Sequence, residues 1–175
     1  MKNKGFTLIE ILVSVGIIIF LTALFLSNYK SGQEQFALER SSYKLAQDIR
    51  KVQEMAMSMK EENCSPSGIV TGFGLYFDKS SSENDKYILF GECTGNKTRQ
   101  PSDNNTEIFL EKGVKISEVK KNGGGGNKIS IFFIPPDPIF YVDGNTGKNI
   151  EVILSNSLGE SKTIKVNTIG MVEIE

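Results

Sequence analysis

Hydrophobic and polar positions follow three different rhythms along the 175 residues of this chain. From Phe6 to Leu26 every residue is apolar except Thr7, Glu10, Ser14, Gly16 and Thr22, and no Pro interrupts the run. About 20 apolar residues rising about 1.5 Å each cross a bilayer core of about 30 Å, so the run predicts a membrane-spanning helix. Lys2 and Lys4 precede it, and basic residues beside a span favour the cytoplasmic side. No small-residue cleavage site of the secretory type follows Leu26, which sets the segment apart from an ordinary signal peptide. The predicted orientation has the amino terminus inside and the remainder of the chain outside.

The second rhythm is helical and amphipathic. Between Asn28 and Lys60 there is no Pro and one Gly, Gly32. Apolar residues stand at Tyr29, Phe36 and Tyr43, then at Leu45, Ala46, Ile49, Val52, Ala56 and Met59. Steps of three, four and seven predict a single buried stripe, with Glu39, Arg40, Asp48, Arg50, Lys51 and Glu54 in solvent. The two segments then form one helix of about 50 residues and about 75–80 Å. It is expected to stop near Glu62–Asn63, before the Cys-Ser-Pro-Ser-Gly cluster at 64–68.

The third rhythm has period two. Strands are predicted over Ile69–Phe77, Tyr87–Glu92, Thr106–Glu111, Val114–Val119, Lys128–Ile134, Ile139–Val142, Ile150–Ser155, Thr163–Val166 and Met171–Ile174. Asp143-Gly144 and Asn145 predict a hairpin between Ile139–Val142 and Ile150–Ser155. Gly159 and Ile169-Gly170 mark the next two turns. Alternation such as Ile164-Lys165-Val166 predicts sheets with one wet face and one face packed on the helix. The fold class is therefore α+β: a long N-terminal membrane-spanning helix packed on a C-terminal antiparallel β-sheet domain. Its divisions are 6–26 for the membrane half of the helix, 27–63 for the amphipathic half and 64–175 for the β domain.

Charge and composition narrow the chemistry. With 20 basic and 21 acidic residues the net charge is −1, which provides no whole-chain attraction for nucleic acid. His and Trp are absent, and without His the commonest general base and zinc ligand is missing. No nucleophile–base spacing emerges, so no catalytic residue, metal site or cofactor is assigned. Cys64 and Cys93 lie beyond the span, where an even pair suggests a disulfide; two separately buried thiols are the alternative. The Gly123–Gly126 run lacks the Gly-Lys-Ser/Thr ending of a phosphate loop and is read as a flexible connection. The oxygen-rich segments Asp78–Asp85 and Asp103–Asn105 lack the EF-hand order and are read as solvated loops. Lys120, Lys121 and Lys128 belong to the best basic cluster and are the candidates for DNA contact, a reading disfavoured by the interspersed Glu111 and Glu118.

The order Lys-Gly-Phe-Thr-Leu-Ile-Glu at 4–10, followed by the apolar run, resembles the prepilin leader of type IV pilins and type II secretion pseudopilins. The resemblance implies that residues 1–5 are a leader, cut between Gly5 and Phe6 by prepilin peptidase, with methylation of the new Phe6 amine. Loss of Lys2 and Lys4 would leave a mature net charge of −3, from 18 basic and 21 acidic residues. It also implies that Glu10 is the acidic assembly position, able to pair with the Phe6 amine of a neighbouring subunit. An ionised carboxylate within a bilayer costs on the order of 3 kcal/mol or more, so it calls for a partner; the blander alternative is a Glu10 that snorkels to headgroups. The implied partners are the peptidase, other pilin subunits in a filament, and inner-membrane lipid before assembly.

Leu45–Arg50, Gly72–Phe77 with Tyr87–Phe90, and Ile164–Val172 resemble the GspH/FimT-type minor pilins and pseudopilins. The first Pro is Pro66, so the helix-bending Pro of many major pilins is missing. The implied function is a structural subunit of a type IV pilus-like or type II secretion filament. The alternatives are a DNA-binding minor pilin of an uptake system and an anchored outer domain that never assembles.

Overall fold

The computed structural model describes residues 5–58, 62–64, 68–80, 82–122, 124–135 and 139–175. One helix, α1 (Leu8–Met57), carries both the apolar run and the amphipathic segment without a break. It ends earlier than the sequence pattern predicts, at the Ser58 cap, whose N–H donates back to Glu54 O. The cause lies just beyond it. At Glu62 and Asn63 the chain is already extended, with Val70 N donating to Glu62 O and Asn63 bridging Ile69. Met59 and Lys60 lie outside the described residues.

Among the described residues ten strands follow: β1 (Phe73–Asp78), β2 (Lys86–Gly91), β3 (Asn104–Phe109), β4 (Lys115–Lys121), β5 (Gly124–Gly126), β6 (Lys128–Ile134), β7 (Ile139–Val142), β8 (Ile150–Ser155), β9 (Ser161–Val166) and β10 (Val172–Ile174). They form two antiparallel sheets, ordered β3-β2-β1-β6-β7 and β10-β9-β8-β4-β5. The helix packs on β1 and β6 of the first sheet and on β8, β9 and β10 of the second. Leu45, Ile49, Val52 and Ala56 of α1 share one core with Leu75, Phe77, Ile131, Phe133, Val152, Leu154 and Ile164. The class is α+β, as the sequence pattern predicts, and pilin-like, as the resemblance implies.

Four further expectations need correction. Tyr29, Phe36 and Tyr43 are not on the buried stripe: they are 67%, 61% and 54% exposed, whereas Leu45 and Ile49 are fully buried. At about 100° per residue, Phe36 and Leu45 lie half a revolution apart, so the seven-residue line is a second line opposite the core. The glycine run is also not a loop, since Gly124–Gly126 pairs with Lys121, Lys120 and Val119 as a hairpin. Asn122, with φ 48°, stands in the two-residue connection that such hairpins favour.

The third correction concerns the hairpin between β7 and β8. Its turn exists, because Asp143 (φ 47°) and Gly144 (φ 74°) bring Val142 and Asn145 into a bridge. The pairing goes no further. β7 pairs with β6, and β8 pairs with β4 and β9 in the other sheet. Asp143 ties this crossing to both sheets, accepting from Ser130 N in β6 and from Lys121 Nζ in β4.

The fourth correction is that the outer face of the first sheet is covered rather than wet at its centre, although Lys128 at its end is exposed. Ile88, Phe90 and Phe132 are buried on the side away from the helix core. Gly74 lies between Phe90 and Phe132 in register. A Cβ there would come within 2.5 Å of the Phe90 ring and 2.3 Å of Ile131 O, so only Gly lets the rings close over the strand. The 94–103 loop borders this outer face, with Lys97 over Tyr141 and Arg99 over Tyr76. The second sheet keeps the predicted alternation, best seen in β8.

Candidate functional site: the amino-terminal segment and its surroundings

Thr7 is the N-cap of α1 in extended conformation, and Gly5 and Phe6 precede the helix. Glu10 closes a capping box. Its carboxylate accepts from Thr7 N at 2.9 Å and from the Thr7 hydroxyl at 2.8 Å, while Thr7 Oγ1 accepts from Glu10 N at 3.3 Å. Reciprocal caps of this kind satisfy two of the N–H groups that every helix start leaves open. Glu10 thus already has hydrogen-bond donors within its own chain, and Thr7, which sequence reasoning did not single out, supplies them. The capping-box spacing Thr-x-x-Glu at 7–10 was the available signal.

The rest of the run is built for surroundings without water. Ser14 donates to Glu10 O and Thr22 to Ile18 O, one turn back, so neither hydroxyl is left without a partner. The apolar side chains are left uncovered by the described residues of the domain. Phe6 is 84% exposed, and Leu12, Ile17, Phe20 and Leu24 are exposed as well. A helix apolar on all sides and uncovered by its own domain fits a membrane or a bundle of other helices. Its length and composition suffice to cross a membrane.

The other candidate residues are spread over the β domain. Cys64 and Cys93 are joined by a disulfide, which fastens the stretch after the helix to the end of β2. Beside it Glu92 is fully buried and accepts from the Thr71 and Thr94 hydroxyls and from Thr94 N and Asn96 N. Burial pushes its carboxyl up, but these donors outweigh that and hold it below the ordinary carboxylate value. Asp103 holds the far end of the loop, accepting from Cys93 N and Gln100 N.

Each of the three lysines considered for DNA has an acidic partner: Lys120 with Glu118, Lys121 with Asp143 and Lys128 with Asp78. Lys120 and Lys121 are consecutive in β4 and so point to opposite faces, and Lys128 begins a strand of the other sheet. The structure does not gather them into one patch. Asp78 also receives Ser80 N; burial raises its carboxyl, but Ser80 and Lys128 bring it below the ordinary value. Between helix and sheets, Tyr87 donates to Asp48 of α1, and burial followed by that carboxylate pushes the phenol well up. Arg40 grips Glu111 through two bonds of 2.8 and 2.6 Å.

Comparison with known proteins bears on the amino-terminal segment alone. The family described as the prokaryotic N-terminal methylation motif matches residues 1–26. No curated protein and no solved structure matches the chain.

Proposed function

Because residues 1–26 carry the prepilin signal of type IV pilins and pseudopilins, we propose that this chain is a minor pilin or pseudopilin. It is a structural subunit of a type IV pilus-like or type II secretion filament. In this reading prepilin peptidase cuts between Gly5 and Phe6 and the Phe6 amine is methylated. The chain first stands in the cytoplasmic membrane with its β domain outside. Assembly then exchanges lipid around Phe6–Leu26 for the helices of other subunits.

The observation that carries the reading is the pairing of that signal with an apolar helix half left uncovered by its own domain. Glu10 has a specific part in it. Among the described residues its carboxylate has only neutral donors, from Thr7, so its charge is not balanced by them. A neighbouring subunit's Phe6 amine would balance it, and the desolvation that the bilayer imposes would strengthen the attraction. Glu10→Ala should therefore be processed normally and be missing from filaments. Normal incorporation would reject the role of Glu10, whereas absence of the unaltered chain from filaments would leave the anchored, non-assembling domain as the better account. No observation favours the DNA-contacting alternative, since its lysines are each paired with an acid.

A further inference from the structure

Among the described residues the two sheets end in four edge strands, β3 and β7 in the first and β10 and β5 in the second. β5 and β10 have 3 residues each and β7 has 4. β3 has 6, without the Pro or Lys that commonly blunts an edge. Leu110 N donates to Asp85 O where the β2–β3 register ends. Antiparallel pairing alternates, so Asn104, Thr106 and Ile108 likewise turn their main-chain groups to β2. Asn105, Glu107 and Phe109 turn theirs to the open side. Beyond them α1 closes the edge, since Glu111 N donates to the Ser41 hydroxyl and Phe109 O receives Lys44 Nζ at 3.4 Å. The N–H groups of Asn105, Glu107 and Phe109 have no partner among the described residues.

Beside this edge, on the face turned to α1, lies a groove of about 220 Å³. Lys51 and Met55 bound it from the helix, Leu89 from β2, and Thr106 and Ile108 from β3. Met55, Leu89 and Ile108 are half-buried apolar side chains at the margin of the core. At the Asn104 end Glu62 receives the Asn104 amide. Sites for drug-sized molecules run to about 300–1,000 Å³, so this groove suits a side chain instead. The helix flank alongside it is basic. Lys44 and Lys51 are exposed and form no ion pair among the described residues. Asp48, between them in sequence, accepts from the Tyr87 hydroxyl.

We propose that β3 and this groove form a strand-addition site for an extended, acidic segment of a partner protein. The segment pairs with Asn105–Phe109, puts an aliphatic side chain into the groove and turns acidic side chains to Lys44 and Lys51. It runs antiparallel to β3, as neighbouring strands do in both sheets. The open N–H groups recur every second residue, about 6.8 Å apart, a row that another extended backbone matches. In such complexes the ladder supplies affinity and pockets for alternate side chains supply specificity. A second copy of this chain fits less well, because edge-to-edge pairing would bring its own Lys44 and Lys51 up to the first pair. The site lies on the β domain, and it holds whether or not Phe6–Leu26 enters a filament.

The test uses the full chain in detergent micelles and a fluorescein-labelled peptide, Ser-Glu-Thr-Val-Thr-Glu-Ser, read by anisotropy at low salt. Saturable binding with a Kd of about 1 mM or tighter is expected. Glu107→Pro removes one outward N–H and leaves the ladder to β2 intact, which an edge strand tolerates. It should weaken binding at least about tenfold, whereas Glu107→Ala, which loses the same tie to Lys86, should stay within about twofold. Lys44→Glu with Lys51→Glu should weaken it at least about fivefold. Methylating the two threonine amides of the peptide, which face β3 in this arrangement, should abolish binding to the unaltered chain, a result independent of how any variant folds. No binding of the unmethylated peptide, equal binding of the methylated one, or indifference to the lysine reversal would overturn the proposal. A chain that is dimeric in micelles, made monomeric by Glu107→Pro and blind to the peptide would overturn it in favour of a second copy.

Discussion

The two halves of α1 are one helix under two sets of rules. From Leu8 to Leu26 the side chains are apolar on every face and none is covered by the chain's own domain. From Ala37 to Ala56 only one stripe is apolar enough to be buried, and it forms part of the core between the two sheets. The second half is thus explained by the chain itself, and the first is not. Its partners lie outside the chain, which is why a membrane and then a filament are the natural surroundings to propose. The aromatic line belongs to neither rule: Tyr29, Phe36 and Tyr43 are exposed and lie off the buried stripe.

If the halves differ in this way, equivalent truncations must differ in their effect on folding of the β domain. Ile49→Ala removes a fully buried side chain and should cost about 2–5 kcal/mol of domain stability. Ile17→Ala, at a residue 55% exposed, should stay within about 0.5 kcal/mol. Denaturant unfolding of the full chain in detergent measures both, and comparable losses would erase the distinction.

The Cys64–Cys93 bond sharpens the other side of the comparison, because it anchors the end of the domain half to the first sheet. It closes a loop with a sequence separation of 29, worth about 3–4 kcal/mol in the chain-entropy model. Replacing both cysteines by Ser should lower the domain's unfolding midpoint by a matching amount, without altering extraction of the anchor from membranes. A midpoint unchanged by the double replacement would contradict the anchoring role.

A smaller effect is expected at Glu92. Its folded carboxyl lies below the ordinary value, so its contribution is present above the unfolded pKa and is lost as pH falls through the folded one. Glu92→Gln should cost about 1–3 kcal/mol near neutral pH and should flatten the acid limb of the stability profile. Parallel acid limbs for the two proteins would show that Glu92 is not a source of the pH dependence.

How much of this could be read in the sequence depends on how local the deciding physics is. The amino-terminal signal is contiguous, and so are the helix and most strands, because period and punctuation lie within a few residues of each other. Sheet membership is not local. The Asp143-Gly144 turn forms as its residues suggest, yet the strand after it joins the other sheet, a choice made by β4 and β9 far away in sequence. Gly124–Gly126 is hidden for the opposite reason: four successive glycines suggest a loop, although the first of them, with Asn122, makes a hairpin signal. A seven-residue spacing fixes a line on a helix without saying which side it faces, so the pattern alone does not separate the exposed aromatic line from the core stripe. Lys120, Lys121 and Lys128 form a cluster along the chain, but nearness in sequence is not nearness in space. Strand alternation and a sheet crossing separate those residues.

The central claim is that the first half of α1 is a processed assembly segment, and its most direct test is the mass of the amino terminus of the native protein. In cells with an active prepilin peptidase the account predicts a chain that begins at Phe6 and carries one methyl group on its amine. A native chain that still begins at Met1, or that is cut anywhere other than between Gly5 and Phe6, would contradict it.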